Sequence, residues 1–211
     1  MEAIKLAKYI IAKSDNVGDL ITNKKLQKLL YYIKAWGVVY FADGIIGNQF
    51  EAWVHGPVCP SVYAEFKPFG YMPLSIDYHG TSSSEYIRVF MAENASSQQG
   101  RDMMDLVDAV FLRYAVHSSL KLEQITHSEE PWIEARKGLA PLEKGHAIIK
   151  ESTMKRFYGA KVEDNDEEYY TYDDPCKAES VERGIKTVLA QEKEGELETP
   201  DYLFDEIEMY S

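Results

Sequence analysis

The charge of this chain is divided very unevenly along its length. Residues 163–211 contain 17 acidic and 4 basic side chains, a net charge of −13, whereas the whole chain of 211 residues carries −12. Residues 1–162 are therefore close to neutral, at +1. Because an acidic surface repels phosphate backbones, the extension favours a basic protein partner or solubility over nucleic acid. The sequence predicts a body over residues 1–162 and an acidic extension over residues 163–211.

Length and cysteine content narrow the class of protein further. A chain of this length buries roughly 70 % of its unfolded surface, enough for one complete core. The two cysteines, Cys59 and Cys176, cannot form a dense disulfide framework. The charged start does not resemble a secretory leader, and the most apolar stretch, residues 35–42, is far shorter than the ~20 residues that cross a bilayer. We expect a soluble, reduced, cytoplasmic protein.

Apolar residues of the body recur mostly at helical spacing. The first helix ends near residues 14–16, and the second begins after Thr22, whose hydroxyl can cap free backbone N–H groups. The second helix has an apolar face of five large side chains: Leu26, Leu29, Leu30, Ile33 and Trp36. Four lysines are expected on its solvent side: Lys24, Lys25, Lys28 and Lys34.

One short segment alternates in the manner of a β-strand instead. Over residues 50–54 apolar positions alternate with Glu51 and Trp53, and the strand is expected to end at residues 55–57. Residues 45–46 are the candidate hairpin partner, and Pro60 is placed to open a short helix over residues 61–67. The predicted fold class is mainly α (α+β), a compact helical domain with one small β-hairpin and an acidic extension that contains a helix.

Further helices are predicted in the second half of the body. A long helix over about residues 99–116 has five large side chains on one face: Met103, Val107, Val110, Phe111 and Tyr114. A short helix follows from a serine cap at residue 118 or 119 to residue 125, and a turn spans residues 126–130. Pro131 opens another helix, and a final body helix is predicted over residues 151–158.

Four short motifs occur in one order along residues 1–160. They consist of Lys-Leu-Gln-Lys-Leu-Leu-Tyr-Tyr at residues 25–32, an Ala-Trp followed by Gly-Pro-Val, a tyrosine, and a late Thr-His-x-x-Glu-Pro-Trp. The residues concerned, after the first motif, are Trp53, Gly56, Pro57, Val58, Tyr63, Thr126, His127, Pro131 and Trp132. In this order the motifs resemble the Panacea domain of SocA-like antitoxins, in which an aromatic residue often stands where this chain has His55.

The resemblance implies a function based on protein binding. Panacea domains occur in toxin–antitoxin and phage-associated loci of bacteria, where a common body is paired with unrelated toxins and neutralises its partner by direct contact. The expected partner is a cognate protein toxin with a basic active site. An alternative is an adaptor or chaperone-like module that delivers the toxin to an AAA+ protease, or a phage-associated regulatory protein. Nucleic acid is expected only in autoregulation, although no helix-turn-helix unit or basic stripe is evident.

The motifs of this sequence favour a binding protein over an enzyme. The chain has no Gly-x-Ser-x-Gly elbow, no phosphate-binding glycine loop and no paired metal-ligand motif, so no cofactor or metal is expected. His127 is the one candidate for a general base or a metal ligand. In an enzyme its imidazole would have to lie in one cleft with the carboxylate of Glu51 or Glu129. The favoured interpretation is structural: His127 hydrogen-bonds the backbone of its turn, while Trp53 and Trp132 act as core anchors rather than interface hot spots.

Specificity for the partner is expected to lie in the acidic extension. Three tyrosines are interleaved with acids over residues 163–174, a helix with an apolar stripe is predicted over residues 177–193, and residues 201–210 alternate acids with large apolar groups. Such segments often fold on binding, although the stripe could instead pack on the body. The candidate partner-binding residues are Tyr169, Tyr170, Tyr172, Val181, Ile185, Val188, Tyr202, Leu203, Phe204, Ile207 and Tyr210.

Overall fold

The described residues, 1–76 and 82–163, form eight α-helices and one two-stranded sheet in this computed structural model. A short 3₁₀ helix, Lys67–Phe69, follows the third α-helix. The elements in chain order are α1 (Ala3–Val17), α2 (Asn23–Tyr40), β1 (Glu51–Trp53), β2 (Gly56–Val58), α3 (Pro60–Phe66), α4 (Ser83–Asn94), α5 (Gln98–Tyr114), α6 (Ser119–Ser128), α7 (Glu130–Ala135) and α8 (Glu151–Glu163). The predicted fold class, mainly helical with one small hairpin, is confirmed for this part of the chain.

Helix α2 is the centre of the core. The hydroxyl of Thr22 accepts a hydrogen bond from the backbone N–H of Lys25, as the predicted cap requires. The predicted apolar face is buried, and α2 contacts α5, α6, α8 and β2. Its Trp36 indole N–H donates to the Tyr114 hydroxyl at 3.2 Å, which joins α2 to α5. With neighbours on several sides, α2 has little surface left for solvent.

The prediction that four lysines lie on a solvent face of α2 is wrong. Lys24, Lys25, Lys28 and Lys34 are all buried, at 8 %, 5 %, 1 % and 2 % exposure. Long methylene stems pack in the core while each ammonium reaches oxygen atoms, because a buried charge needs such partners. Lys34, for example, donates to the carbonyl of Ile46 at 2.6 Å and pairs with Glu151. The sequence pattern did not reveal that α2 is covered on its polar side as well.

The hairpin differs from its prediction in its second strand. Strand β1 pairs antiparallel with β2, with Trp53 opposite Gly56 and Ala52 opposite Pro57, so the Gly-Pro-Val motif continues the sheet instead of ending it. Residues 45–46 are buried in the core and are not the hairpin partner. The other edge of the hairpin meets residues 147–149, where the N–H of Ala52 donates to the carbonyl of Ala147 at 2.8 Å.

The predicted turn over residues 126–130 is shorter in the structure. Helix α6 continues to Ser128, and only Glu129, in an extended conformation, separates it from α7. The serine cap of α6 is Ser118, and Pro131 lies in the first turn of α7 as predicted. Residues 83–94, for which no element was predicted, form α4, and α8 runs past residue 158 to Glu163.

No helix among the described residues is both long and apolar enough to span a bilayer. The helix predicted over residues 177–193 and the rest of the extension lie outside the described residues.

Candidate functional site

An open groove of about 900 Å³ lies where the late motif meets the hairpin. Its walls are formed by the turn between β1 and β2, the second half of α6, one face of α7 and the segment 136–142. Two apolar side chains at its rim are exposed to solvent, Ile133 at 50 % and Leu142 at 83 %. The groove is thus a surface feature whose lining includes His127 and Trp132 of the late motif.

Glu123 is the charged centre of the inner wall. Its carboxylate lies 3.1 Å from the ammonium of Lys24 and 3.2 Å from Nδ1 of His55, and the residue is buried. Burial alone would raise the pKa of Glu123, but the hydrogen bond with His55 and the charges of Lys24 and Lys28 outweigh it and hold the pKa at about 2. Glu123 is therefore an ionised structural anion at neutral pH.

His127 lies on the same wall but is not bonded as predicted. Its ring stacks on the indole of Trp132 at a centroid distance of 3.9 Å, and no described residue hydrogen-bonds its Nε2 atom. Burial lowers the pKa of His127 to about 4; the negative charge of Glu123 opposes the shift, while Lys28 and Arg136 reinforce it. The expected hydrogen bond to the turn backbone is replaced by stacking, and the imidazole is neutral at pH 7.

Gly56 is required where β2 begins. Its φ of +96° is in the region that side chains disfavour, and a Cβ at this position would lie 2.7 Å from Cε of Lys28 and 3.1 Å from Oγ1 of Thr126. Lys28 passes beneath this glycine and donates to the carbonyl of Pro57 at 3.4 Å. Thr126 in turn donates to the carbonyl of Glu123 at 2.9 Å. The Gly-Pro and Thr-His motifs therefore meet above one buried lysine.

The two tryptophans connect the hairpin to α7. The indole N–H of Trp132 donates to the carbonyl of Trp53 at 3.1 Å, and both rings are only half-buried. Trp53 donates to Glu51 at 2.7 Å and meets the ring of Tyr63 edge-on at 5.0 Å. Both tryptophans thus lie at the edge of the core, where they pin the sheet to α7.

Arg136 holds the remaining wall of the groove. Its buried guanidinium bonds carbonyl oxygens only, and no carboxylate among the described residues pairs with it. The four acceptors are the carbonyls of Ala52, Ala140, Pro141 and Glu143, at 3.1, 3.2, 3.2 and 2.7 Å. These bonds hold the segment 136–143 in place and leave the positive charge uncompensated locally.

Behind the groove, Glu129 is buried among tyrosines. Its Oε2 atom accepts hydrogen bonds from the hydroxyls of Tyr158 at 2.6 Å and Tyr32 at 3.4 Å, while Oε1 has no partner among the described residues. Burial raises the pKa of Glu129 to about 7, against the opposing hydrogen bond from Tyr158 and the charge of Lys161. The carboxyl therefore titrates near neutral pH inside a junction of α2, α8 and the α6–α7 link.

The arrangement has few of the parts that catalysis requires. Neither acid proposed to join His127 does so, because Glu51 bonds Trp53 and His146 while Glu129 bonds tyrosines. The groove lining contains no serine, threonine or cysteine that could act as a nucleophile. Within residues 1–76 and 82–163, no group of three or more His, Cys, Asp or Glu side chains could hold a metal ion. The charged side chains serve mainly to join elements.

The family of the chain follows from its match to known sequences. A family model described as "Antitoxin SocA-like, Panacea domain" matches residues 26–133, about half of the chain. The chain belongs to this family of SocA-like antitoxins. No curated protein and no solved structure matches it. The matched range of the Panacea domain runs from α2 into α7, so it includes the hairpin and 7 of the 15 residues that line the groove, whereas the segment 136–142 lies beyond it.

Two of the nine predicted Panacea motif residues, His127 and Trp132, line the groove, and the other seven lie outside its lining. Pro57, Val58, Thr126 and Pro131 are buried, and Trp53, Tyr63, His127 and Trp132 are half-buried. All candidates in the extension lie outside the described residues: Tyr169, Tyr170, Tyr172, Val181, Ile185, Val188, Tyr202, Leu203, Phe204, Ile207 and Tyr210.

Sequence reasoning missed Glu123 and Arg136, and it misjudged Lys28 as solvent-facing and Glu129 as a possible partner of His127. Lys28 stands one residue before Leu29, and Glu129 stands within the late motif. A charged residue inside an otherwise apolar segment or inside a motif is the signal that could have identified Lys28 and Glu129 as buried residues of the site. Glu123 and Arg136 stand among ordinary helical charges and carry no such signal.

Proposed function

We propose that this protein is an antitoxin that neutralises a cognate protein toxin by direct contact. Membership of the SocA-like family supports the general role. The observation that carries the proposal is how the family motifs are used: Trp132 joins the hairpin to α7, and Gly56 of the hairpin packs closely on Lys28 of α2 and Thr126 of α6. Because these characteristic residues hold the elements of the domain together, we infer that the domain acts by binding a partner through its exposed surface.

The acidic extension supplies the specificity in this proposal. A segment of net charge −13 is attracted to a basic surface, and toxins that act on nucleotides or RNA bind their substrates through basic sites. Residues 163–211 would then select the toxin and occlude its active site. The near-neutral body contributes the rigid attachment.

Neutralisation in cells tests the proposal. The toxin is taken to be the product of the adjacent open reading frame, and it is expressed from one promoter while the chain is expressed from another. Growth should be restored by the full chain and should fail with a chain that stops at residue 163, provided circular dichroism shows that the shortened body is folded. Restored growth with the shortened chain would refute the role of the extension while leaving direct binding open.

Full-length variants separate charge from length. Neutralising the acids of residues 163–174 with Asn and Gln should weaken toxin binding and flatten its salt dependence, because charge attraction is screened by salt. Replacing Tyr169 and Tyr172 by Ser in the same segment keeps the charge and serves as the matched control. Equal loss in both variants would assign the contact to the aromatic rings instead.

A further inference from the structure

The groove has the chemistry of a site for an acidic, apolar peptide. At its inner end the buried guanidinium of Arg136 has no carboxylate partner among the described residues. Each of the three lining carboxylates, in contrast, has a basic partner: Lys24 for Glu123, and Arg156 for both Glu130 and Glu134. The two basic side chains of the lining, the buried Arg136 and the exposed Lys137, are therefore the ones without a carboxylate partner among the described residues.

The outer half of the groove offers apolar contacts. Ile133 and Leu142 are exposed at the rim, and the half-buried Trp132, which stacks on His127, lines the same groove. Large exposed apolar side chains grouped around a concave surface mark a binding site rather than ordinary surface. A ligand that fits must therefore combine carboxylates with bulky apolar groups.

This chain itself contains a segment of that chemistry. Residues 201–210 read Asp-Tyr-Leu-Phe-Asp-Glu-Ile-Glu-Met-Tyr, with four acids among six large apolar side chains. Their acids complement the positive charges of Arg136 and Lys137, and their apolar groups match the rim of the groove. No stretch of the near-neutral body has this density of both features.

The position of α8 puts the extension within reach. Arg156 of α8 contacts Glu130 and Glu134 on the wall of the groove at 2.8 and 3.2 Å, and α8 ends at Glu163, seven residues later. Seven helical residues span about 10 Å. The 37 residues between the end of α8 and residue 201 could extend over roughly 120 Å, several times the radius of a domain of this size.

We propose that residues 201–210 dock into the groove of their own chain when no toxin is bound. Linking the segment to the body gives it an effective concentration on the order of 1 mM, so a dissociation constant of about 0.1 mM for the isolated segment keeps about nine molecules in ten closed. Docking covers the exposed apolar rim, and it is independent of whether the extension later contacts a toxin. A toxin that engages the same segment has to displace it from the groove.

Fluorine NMR of the full chain labelled with 5-fluorotryptophan tests the docking, with Trp132 as the reporter. Phe204→Ser/Ile207→Ser should shift the Trp132 resonance because the segment leaves the groove. Ile185→Ser/Val188→Ser removes two apolar side chains of similar size from the middle of the extension and should leave the resonance unchanged. An unchanged resonance in the first variant, or an equal shift in both, would overturn the proposal.

The groove side is tested by hydrogen exchange in the full chain. Residues 201–210 should be protected in the parent chain and should lose protection in Leu142→Ser, a substitution at a side chain that is 83 % exposed. Leu120→Ser changes another exposed leucine outside the groove lining and is the control. Protection that persists in Leu142→Ser would overturn the proposal. Protection that disappears when the protein is diluted would also overturn it, because the groove would then be occupied by residues 201–210 of a second copy of the chain. Neither outcome depends on neutralisation, so the proposed function is judged separately.

Discussion

Replacing Glu129 by Gln should remove a large pH dependence from the stability of the body. Glu129 is 3 % exposed, and its pKa is about 7 in the folded protein against an ordinary value of 4.5. Because the folded state holds this proton more tightly than the unfolded chain, the group contributes stability that is fully present below pH 4.5. That contribution is lost as the pH rises through 7.

The size of the effect follows from the two pKa values. A difference of 2.5 between them corresponds to about 3.4 kcal/mol, of which about 2.5 kcal/mol is lost between pH 5 and pH 8. His127 acts in the opposite direction. Its pKa is lowered to about 4, so its contribution is present above pH 6.5 and lost toward pH 4. The two effects partly cancel in the parent protein, which makes the difference between parent and variant the informative quantity.

Urea denaturation at a series of pH values measures this difference. The free energy of unfolding of Glu129→Gln minus that of the parent should increase by about 2.5 kcal/mol from pH 5 to pH 8. Glu130→Gln is the matched control, because Glu130 is the next residue but is exposed and pairs with Arg156, and exposed pairs contribute under about 1 kcal/mol. A difference between Glu129→Gln and parent that stays constant with pH would refute the burial argument.

Two further predictions concern the lysine beneath the hairpin. Gly56→Ala should lower the free energy of unfolding, measured by urea titration, by about 2–3 kcal/mol, because it adds a collision with Lys28 to the backbone strain. Gly18 also has a positive φ but has open space around it, so Gly18→Ala should lower the free energy of unfolding by only about 1 kcal/mol. Lys28→Met should raise the pKa of His127 from about 4 toward its ordinary value, measured by NMR titration of the imidazole, whereas Lys25→Met should leave it in place. Equal costs for the two glycine variants, or an unmoved pKa in Lys28→Met, would contradict the packing described around Gly56.

Local signals in the sequence predicted most of the helices. The Thr22 cap, the apolar face of α2 and the proline in the first turn of α7 act within a few residues, so spacing alone revealed them. The fold class followed from these helices and from one alternating segment. The Gly-Pro-Val segment was misjudged, because it forms the second strand through pairing with β1, and pairing is not a local property.

The polar interior could not be predicted in the same way. A lysine on a helix is normally solvated, and only the packing of α6 and α8 against α2 makes Lys24 and Lys34 buried ion-pair partners. Glu129 is a candidate acid partner of His127 in the sequence, but its burial and its actual partners, Tyr32 and Tyr158, come from distant parts of the chain. The groove itself arises where four separate segments meet, and no single segment shows it.

Direct binding to the toxin is the central claim, and isothermal titration calorimetry tests it most directly. The purified full chain is titrated with the product of the adjacent open reading frame, once that product has been shown to stop growth alone and to be neutralised by co-expression. We expect a saturable complex with a dissociation constant below about 1 μM. Neutralisation in cells with no detectable complex at tens of micromolar, on the order of 50 μM, would contradict it.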